Sequence, residues 1–103
     1  MPAILEIHVA PVGTSSASMG DLVARTVAVA KQRGVKYRVN PMGTTLEGDL
    51  DTLFSLARAM HEAAFTAGTP RVLTSIRIDD RRDKDLTMDY KVDSVLAKLG
   101  DKP

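Results

Sequence analysis

The sequence predicts a single α+β domain, spanning residues 1–103, in which two split β-α-β units share one four-stranded antiparallel sheet. Segments with apolar residues at every second position alternate with segments whose apolar residues recur every three or four positions. Glycine and proline separate these segments. The resulting order is β-α-β-β-α-β with a further C-terminal helix, so we expect a ferredoxin-like sandwich with two helices on one sheet face.

The first unit begins with a strand predicted from Ala3 to Val12, because its apolar residues occupy every second position. A helix follows, with Ser18 and Asp21 spaced as in a capping box, and Gly34 stands where a helix C-terminal glycine belongs. Its predicted apolar stripe consists of Met19, Leu22, Val23, Thr26, Val27 and Ala30.

Two strands are predicted next, over Lys36–Pro41 and Thr44–Glu47, with a tight reversal at Met42-Gly43. Gly48-Asp49 ends the second of them and caps a helix predicted over Leu50–Ala67. The predicted buried stripe of that helix is Leu50, Leu53, Phe54, Ala57, Met60 and Ala64.

Gly68 and Pro70 end this helix and precede a strand predicted over Arg71–Ile78. Thr87 can cap a last helix that ends at Gly100. The apolar stripe of that helix is predicted to be Met88, Val92, Val95 and Leu99.

If the strands turn their apolar sides to the helices, the other sheet face is largely polar. It then holds Glu6, His8, Arg38, Asn40, Thr45, Glu47, Ser75 and Arg77. Ile4, Ala10 and Leu73 lie among these residues, and we expect His8 and Ser75 on central strands. The pattern leaves two interpretations equally open: a solvated face, or a face used for assembly or ligand binding.

Composition excludes several functional classes. The net charge of +1 indicates no polyanionic partner, and the chain has four aromatic residues, none of them on the predicted central strands, where an RNA-recognition domain stacks bases. The absence of cysteine excludes disulfides and thiolate metal sites. No apolar run approaches the roughly 20 residues of a membrane span, and the N-terminus lacks a basic leader pattern. We therefore expect a cytoplasmic protein without a nucleic-acid or membrane partner.

No catalytic constellation is evident, so the sequence predicts that the protein is not an enzyme. Glu6 and His8 share a strand face, but a cross-strand polar pair is favoured over a metal site because a third ligand is missing. His61 lies at the edge of an apolar stripe and is expected to be hydrogen-bonded and mostly buried. The mixed charges of residues 79–85 predict a solvated loop with local ion pairs. An acylphosphatase-type activity would need an arginine within Pro11–Ser18, which has none.

Four stretches resemble the small thiamine-binding proteins with a ferredoxin-like fold: EIHVAPVGT at 6–14, YRVNPMGTTLEGD at 37–49, MHEAAF at 60–65 and IRIDDRRDK at 76–84. The likeness covers nearly the whole chain in the same order, and the PMGTTLEG segment is its most specific part. The resemblance implies a homotetramer built from dimers. It further implies that thiamine or its hydroxymethylpyrimidine moiety is bound without turnover. We expect no cofactor and no metal.

The chemistry of such a ligand suggests where it binds. A carboxylate suits both the exocyclic amine of the pyrimidine and the cationic thiazolium, and Glu47 is the preferred candidate. An exposed carboxylate that only favours the following helix N-terminus is the alternative for Glu47. The predicted ligand-binding set is Glu47, Thr45, Thr44, Asn40, His8, Ser75, Ala10 and Met42. A metabolite-sensing regulatory subunit that acts through a protein partner is the alternative function, by analogy of fold alone.

Overall fold

The computed structural model describes residues 2–13, 19–65 and 69–101 and has the predicted ferredoxin-like topology. Its elements are β1 (Ala3–Pro11), α1 (Met19–Gln32), β2 (Lys36–Asn40), β3 (Gly43–Gly48), α2 (Leu50–Phe65), β4 (Val72–Asp79) and α3 (Met88–Lys98). The sheet order is β2-β3-β1-β4, with antiparallel neighbours throughout. The predicted Ser18 cap and the helix end at Gly68 lie outside the described residues.

The core lies between the sheet and helices α1 and α2. Strict alternation in β1 buries Ala3, Leu5, Ile7 and Val9 on the helix side. The helices contribute Leu22, Ala30, Leu53, Leu56, Ala57, Met60 and Ala64, and β3 contributes Leu46. These residues form one contiguous buried cluster, so the central strands β1 and β3 have their helix-side face in the core.

Capping residues and a glycine lie at several helix ends as predicted. Asp49 caps α2, since its Oδ2 accepts a hydrogen bond from Thr52 N at 3.0 Å. Thr87 caps α3 by accepting from Tyr90 N at 3.1 Å. Gly34 follows α1 with φ of +69°, a conformation that residues with a Cβ rarely adopt.

The buried stripe of α2 differs from the predicted one at one position. Phe54 is 51% exposed, whereas Leu56 is completely buried. Leu53, Ala57 and Met60 define the centre of the buried face, and Phe54 lies about 100° around the helix from Leu53. The prediction that Phe54 belongs to the core was therefore wrong.

Helix α3 packs on the sheet face opposite α1 and α2. Of its residues only Met88 is buried, while Val92, Val95 and Leu99 are 39%, 55% and 68% exposed. The predicted apolar stripe exists along the helix, but within this chain only its first residue, Met88, is buried.

The strand order corrects the expectation for Ser75, because β4 is an edge strand and the central strands are β1 and β3.

The packing of the core predicts that Leu46 is important for stability. Replacing Leu46 with Ala removes a fully buried side chain from β3 and should lower the free energy of unfolding by about 2–5 kcal/mol. Val39→Ala is the matched control, because Val39 on β2 is 57% exposed and should change stability little. Denaturant unfolding of both variants at one protein concentration measures this, and equal losses would contradict the proposed core.

Candidate ligand-binding site

The face of the sheet opposite α1 and α2 is organised in three rows of side chains that run across the strands. Row one consists of Lys36, Glu47, Ile4 and Asp79. Row two consists of Arg38, Thr45, Glu6 and Arg77. Row three places Asn40 opposite Gly43, and His8 opposite Ser75. These rows follow from the antiparallel register, because residues directly opposite one another point to the same side.

A cleft of about 440 Å³ lies between row two and α3. All four residues of row two line it, together with Ile4, Asn40, Ile78 and Asp79 from the strands. Met88, Lys91 and Val92 from α3 form the opposite wall. Apolar walls with a few converging polar groups are typical of small-molecule sites.

Row one attaches α3 to the sheet through a set of polar contacts, here called the α3 anchor. Glu47 Oε1 accepts a hydrogen bond from Met88 N at 2.7 Å, and Lys91 forms an ion pair with Asp79. Asp89 accepts from Lys36 Nζ at 2.7 Å. The same carboxylate also accepts from Arg38 Nη2, in row two, at 2.8 Å. The anchor thus holds the first turn of α3 beside the cleft, while Val95, Ala97 and Lys98 near the end of the helix are exposed.

The charges of the anchor reinforce one another. The hydrogen bond from Lys36 and the nearby charge of Arg38 hold the pKa of the Asp89 carboxyl below its usual value. The same hydrogen bond raises the pKa of Lys36. Because the pKa of Asp89 is lowered in the folded protein, its contribution is complete above its unfolded pKa. That contribution is lost as the pH falls through the folded value.

Contacts within rows two and three orient the floor of the cleft. Arg77 Nη2 donates to Glu6 Oε1 at 3.1 Å, so Glu6 forms the cross-strand polar pair expected of it. Asn40 Nδ2 donates to Thr45 Oγ1 at 2.8 Å. These contacts place a carboxylate and a hydroxyl side by side at the centre of the floor.

The structure brings two of the predicted ligand residues, Thr45 and Asn40, into the cleft. Glu47 lies beneath α3 with its side chain only 13% exposed, where it accepts the hydrogen bond from Met88 N. Its carboxylate therefore belongs to the anchor and is not among the residues that line the cleft.

The other predicted residues lie away from the cleft. Thr44 is buried on the helix side of the sheet, opposite Ile7. His8 and Ser75, also in row three, do not line the cleft, and Ala10 pairs with Leu73 farther along β1. Met42, in the β2-β3 turn, is 79% exposed. Thr44 and Thr45 are successive residues of β3, so their side chains point to opposite faces of the sheet and cannot both contact one ligand.

Sequence reasoning missed the part of the site that depends on α3. The sequence predicts Arg38, Glu6 and Arg77 on the polar face and Val92 in a helix stripe, but it predicts a ligand role for none of them, nor for Lys91. The alternation of each strand could have grouped row two once the register was known. No local signal in the sequence indicates that α3 crosses to this face.

Two further expectations are confirmed elsewhere. His61 is half-buried, and its Nδ1 lies 2.6 Å from Thr74 Oγ1. The 79–85 loop contains the local pairs Arg82–Asp80, at 2.8 Å, and Arg81–Asp83. The hydrogen bond from Arg81 lowers the pKa of Asp83 to about 2.

Across residues 2–13, 19–65 and 69–101, no helix is long and apolar enough to cross a membrane.

Comparison with known proteins identifies the family. The model of the thiamine-binding protein family matches residues 5–96. This chain belongs to the thiamine-binding protein family. The chain is 41% identical over 101 residues to the UPF0045 protein YqgV of Bacillus subtilis, covering 94% of this chain and 97% of that protein. It is 45% identical over 95 residues to a UPF0045 protein of Methanothermobacter thermautotrophicus, covering 91% and 96%.

Solved structures share the fold of this chain. A domain of unknown function, DUF77, from Bacillus cereus aligns with a TM-score of 0.80 and 33% identity, covering 90% of this chain and 88% of that one. A Thermotoga maritima protein proposed to act in thiamine biosynthesis or salvage aligns with a TM-score of 0.79 at 20% identity, covering 92% and 99%. At that identity the second likeness supports the fold alone.

The anchor predicts a selective effect of Asp89→Asn. The substitution removes the negative charge that Lys36 and Arg38 share, so α3 should detach more often while the core is unchanged. Hydrogen exchange at neutral pH should become faster for amides of residues 88–98 and stay the same in β1 and α2. Asp93→Asn, in the same helix, is the control. Unchanged exchange in α3 would contradict the role of Asp89 in the anchor.

Proposed function

We propose that this protein binds thiamine or its hydroxymethylpyrimidine moiety in the cytoplasm, without chemical turnover, in the cleft between row two and α3. The family match over residues 5–96 is the observation on which the ligand rests. The cleft supports the location, because it combines apolar surface from Ile4, Met88 and Val92 with hydrogen-bonding groups.

The chemistry of the floor suits a flat, polar heterocycle. Glu6 offers a carboxylate acceptor, Thr45 a hydroxyl, and Asn40 an amide within the same cleft. The neighbouring carboxylates are paired with cations, as Glu6 is with Arg77 and Asp79 with Lys91.

Isothermal titration calorimetry tests the ligand. Thiamine, hydroxymethylpyrimidine and thiamine diphosphate are titrated separately into the protein, and at least one should bind with a Kd tighter than roughly 1 mM, or about −4 kcal/mol. Intact ligand recovered after prolonged incubation would support binding without turnover. The proposal fails if none of the three binds in this range.

A cleft-filling substitution tests the location. Val92→Trp projects a large ring from the α3 wall and should weaken ligand binding at least tenfold, because the ring competes for the same space. Ala97→Trp places the same ring on an exposed part of α3 outside the cleft and should leave affinity unchanged. Equal affinities of the two variants would place the ligand elsewhere.

We also propose that the protein forms a homotetramer built as a dimer of dimers. Such an assembly needs two different self-complementary interfaces. Among the exposed apolar side chains of the described residues, two separate sets suit such interfaces: Ile76 at 43% and Ile78 at 37% on the helix side of the edge strand β4, and Val95 on α3 with Leu99 directly after it. Exposed apolar edge strands are typical sites of strand pairing between chains.

Light scattering after size-exclusion chromatography tests the assembly. The protein should elute with four times the chain mass of 11.1 kDa. Ile76→Arg should reduce the mass, because a charge then stands on the β4 edge, whereas Val39→Arg on the other edge strand, β2, should not. A monomeric wild-type protein would refute the tetramer.

A further inference from the structure

We infer that Glu6 is the carboxylate by which the cleft recognises the amino group of its ligand, and that Thr45 contacts the ring nitrogen beside that group. The inference rests on the proposed function and adds the recognising residues to it. The ligand class is a planar nitrogen heterocycle with an amino group next to a ring nitrogen, as in an aminopyrimidine.

The other carboxylates near the cleft already serve α3. Glu47 accepts from Met88 N at 2.7 Å and is largely covered. Asp79 is paired with Lys91, and Asp89 with Lys36 and Arg38. A ligand that took any of these carboxylates would compete with the attachment of the helix that forms the cleft wall.

Glu6 differs from these carboxylates in its position and its partner. It lies on the central strand β1, in the middle of row two, and lines the cleft. Its partner Arg77 is 84% exposed on the edge strand and contacts Oε1. Within the described part of the chain, no hydrogen bond reaches the second oxygen, Oε2. An ion pair this exposed is weak, so Glu6 can accept a further hydrogen bond at little cost.

Thr45 complements Glu6. The two residues are directly opposite each other on β3 and β1, a spacing of about 5 Å between Cβ atoms. Thr45 Oγ1 accepts from Asn40 Nδ2, so its own hydrogen is oriented away from Asn40 and can be donated. An acceptor beside a donor matches the amino group beside a ring nitrogen on the edge of an aminopyrimidine.

Gly43 allows Glu6 to occupy this position. A Cβ built at residue 43 would lie 3.3 Å from Glu6 Cγ, 3.5 Å from Glu6 Cδ and 3.2 Å from the backbone oxygen of Ile7. The Ile7 oxygen is part of the β1 backbone and cannot easily move, so an added methyl group would push residue 43 away from β1 by a few tenths of an ångström and would also displace the flexible Glu6 side chain that it meets. Gly43 is therefore a positioning residue for the carboxylate.

The test is a thermodynamic cycle between protein and ligand. Calorimetry measures the affinity of the wild type and of Glu6→Gln for hydroxymethylpyrimidine and for the same pyrimidine without its amino group. The wild type should prefer the amino compound by about tenfold or more, as expected for a hydrogen bond to a charged group. In Glu6→Gln this preference should fall several-fold, because the neutral amide oxygen can still accept the hydrogen bond but lacks the charge that strengthens it, while the affinity for the compound without the amino group changes little.

Matched variants separate this inference from its alternatives. Glu47→Gln and the exposed Glu62→Gln should keep the wild-type preference, because the amide oxygen introduced by the first substitution can still accept from Met88 N. Gly43→Ala should reduce the preference in the same direction as Glu6→Gln although the carboxylate is retained. If the preference is lost in Glu47→Gln and kept in Glu6→Gln, Glu47 is the recognising residue and the inference is overturned.

The outcomes also distinguish this inference from the proposed function. If the wild type binds hydroxymethylpyrimidine but does not distinguish it from the compound without the amino group, the proposed function stands and the role of Glu6 is refuted. If the wild type binds neither pyrimidine nor thiamine, both proposals fail together.

Discussion

The register of β1 between β3 and β4 is the constraint on which the rest of the structure depends. It places Leu5 and Ile7 in the core and, by the same alternation, Glu6 in the floor of the cleft. A slip of one residue would exchange the two faces, and it would bury a carboxylate while exposing two core residues. The free energy that holds the hydrophobic core together therefore also fixes the order of the polar rows.

The cleft combines two kinds of stabilisation. Its floor belongs to the sheet, whose central strands are buried on their other side against α1 and α2. Its wall, α3, is held by Met88 and by the polar contacts of the anchor. Groups on the floor are thus fixed by burial of apolar surface, whereas the position of the wall depends on a few charges of row one and on Arg38.

The fold was predictable because its signals are local. Alternation in β1, the cap at Asp49 and the glycine after α1 each act within a few residues, and the element order then determines the topology. The site was predictable only in part. Thr45 and Asn40 follow from strand alternation, but the engagement of Glu47 depends on where α3 packs, which is a long-range contact. Phe54 was assigned to the core because apolar character does not distinguish the centre of a helix face from its flank.

Because α3 is attached to the sheet largely by polar contacts, the stability of this attachment should depend on ionic strength. Dissolved salt screens interactions between exposed charges but leaves burial of apolar surface largely intact or strengthens it. Raising the ionic strength should therefore loosen the α3 wall while the sheet stays folded. Affinity at this cleft would then depend on salt even for an uncharged ligand, because salt changes the population of the closed cleft.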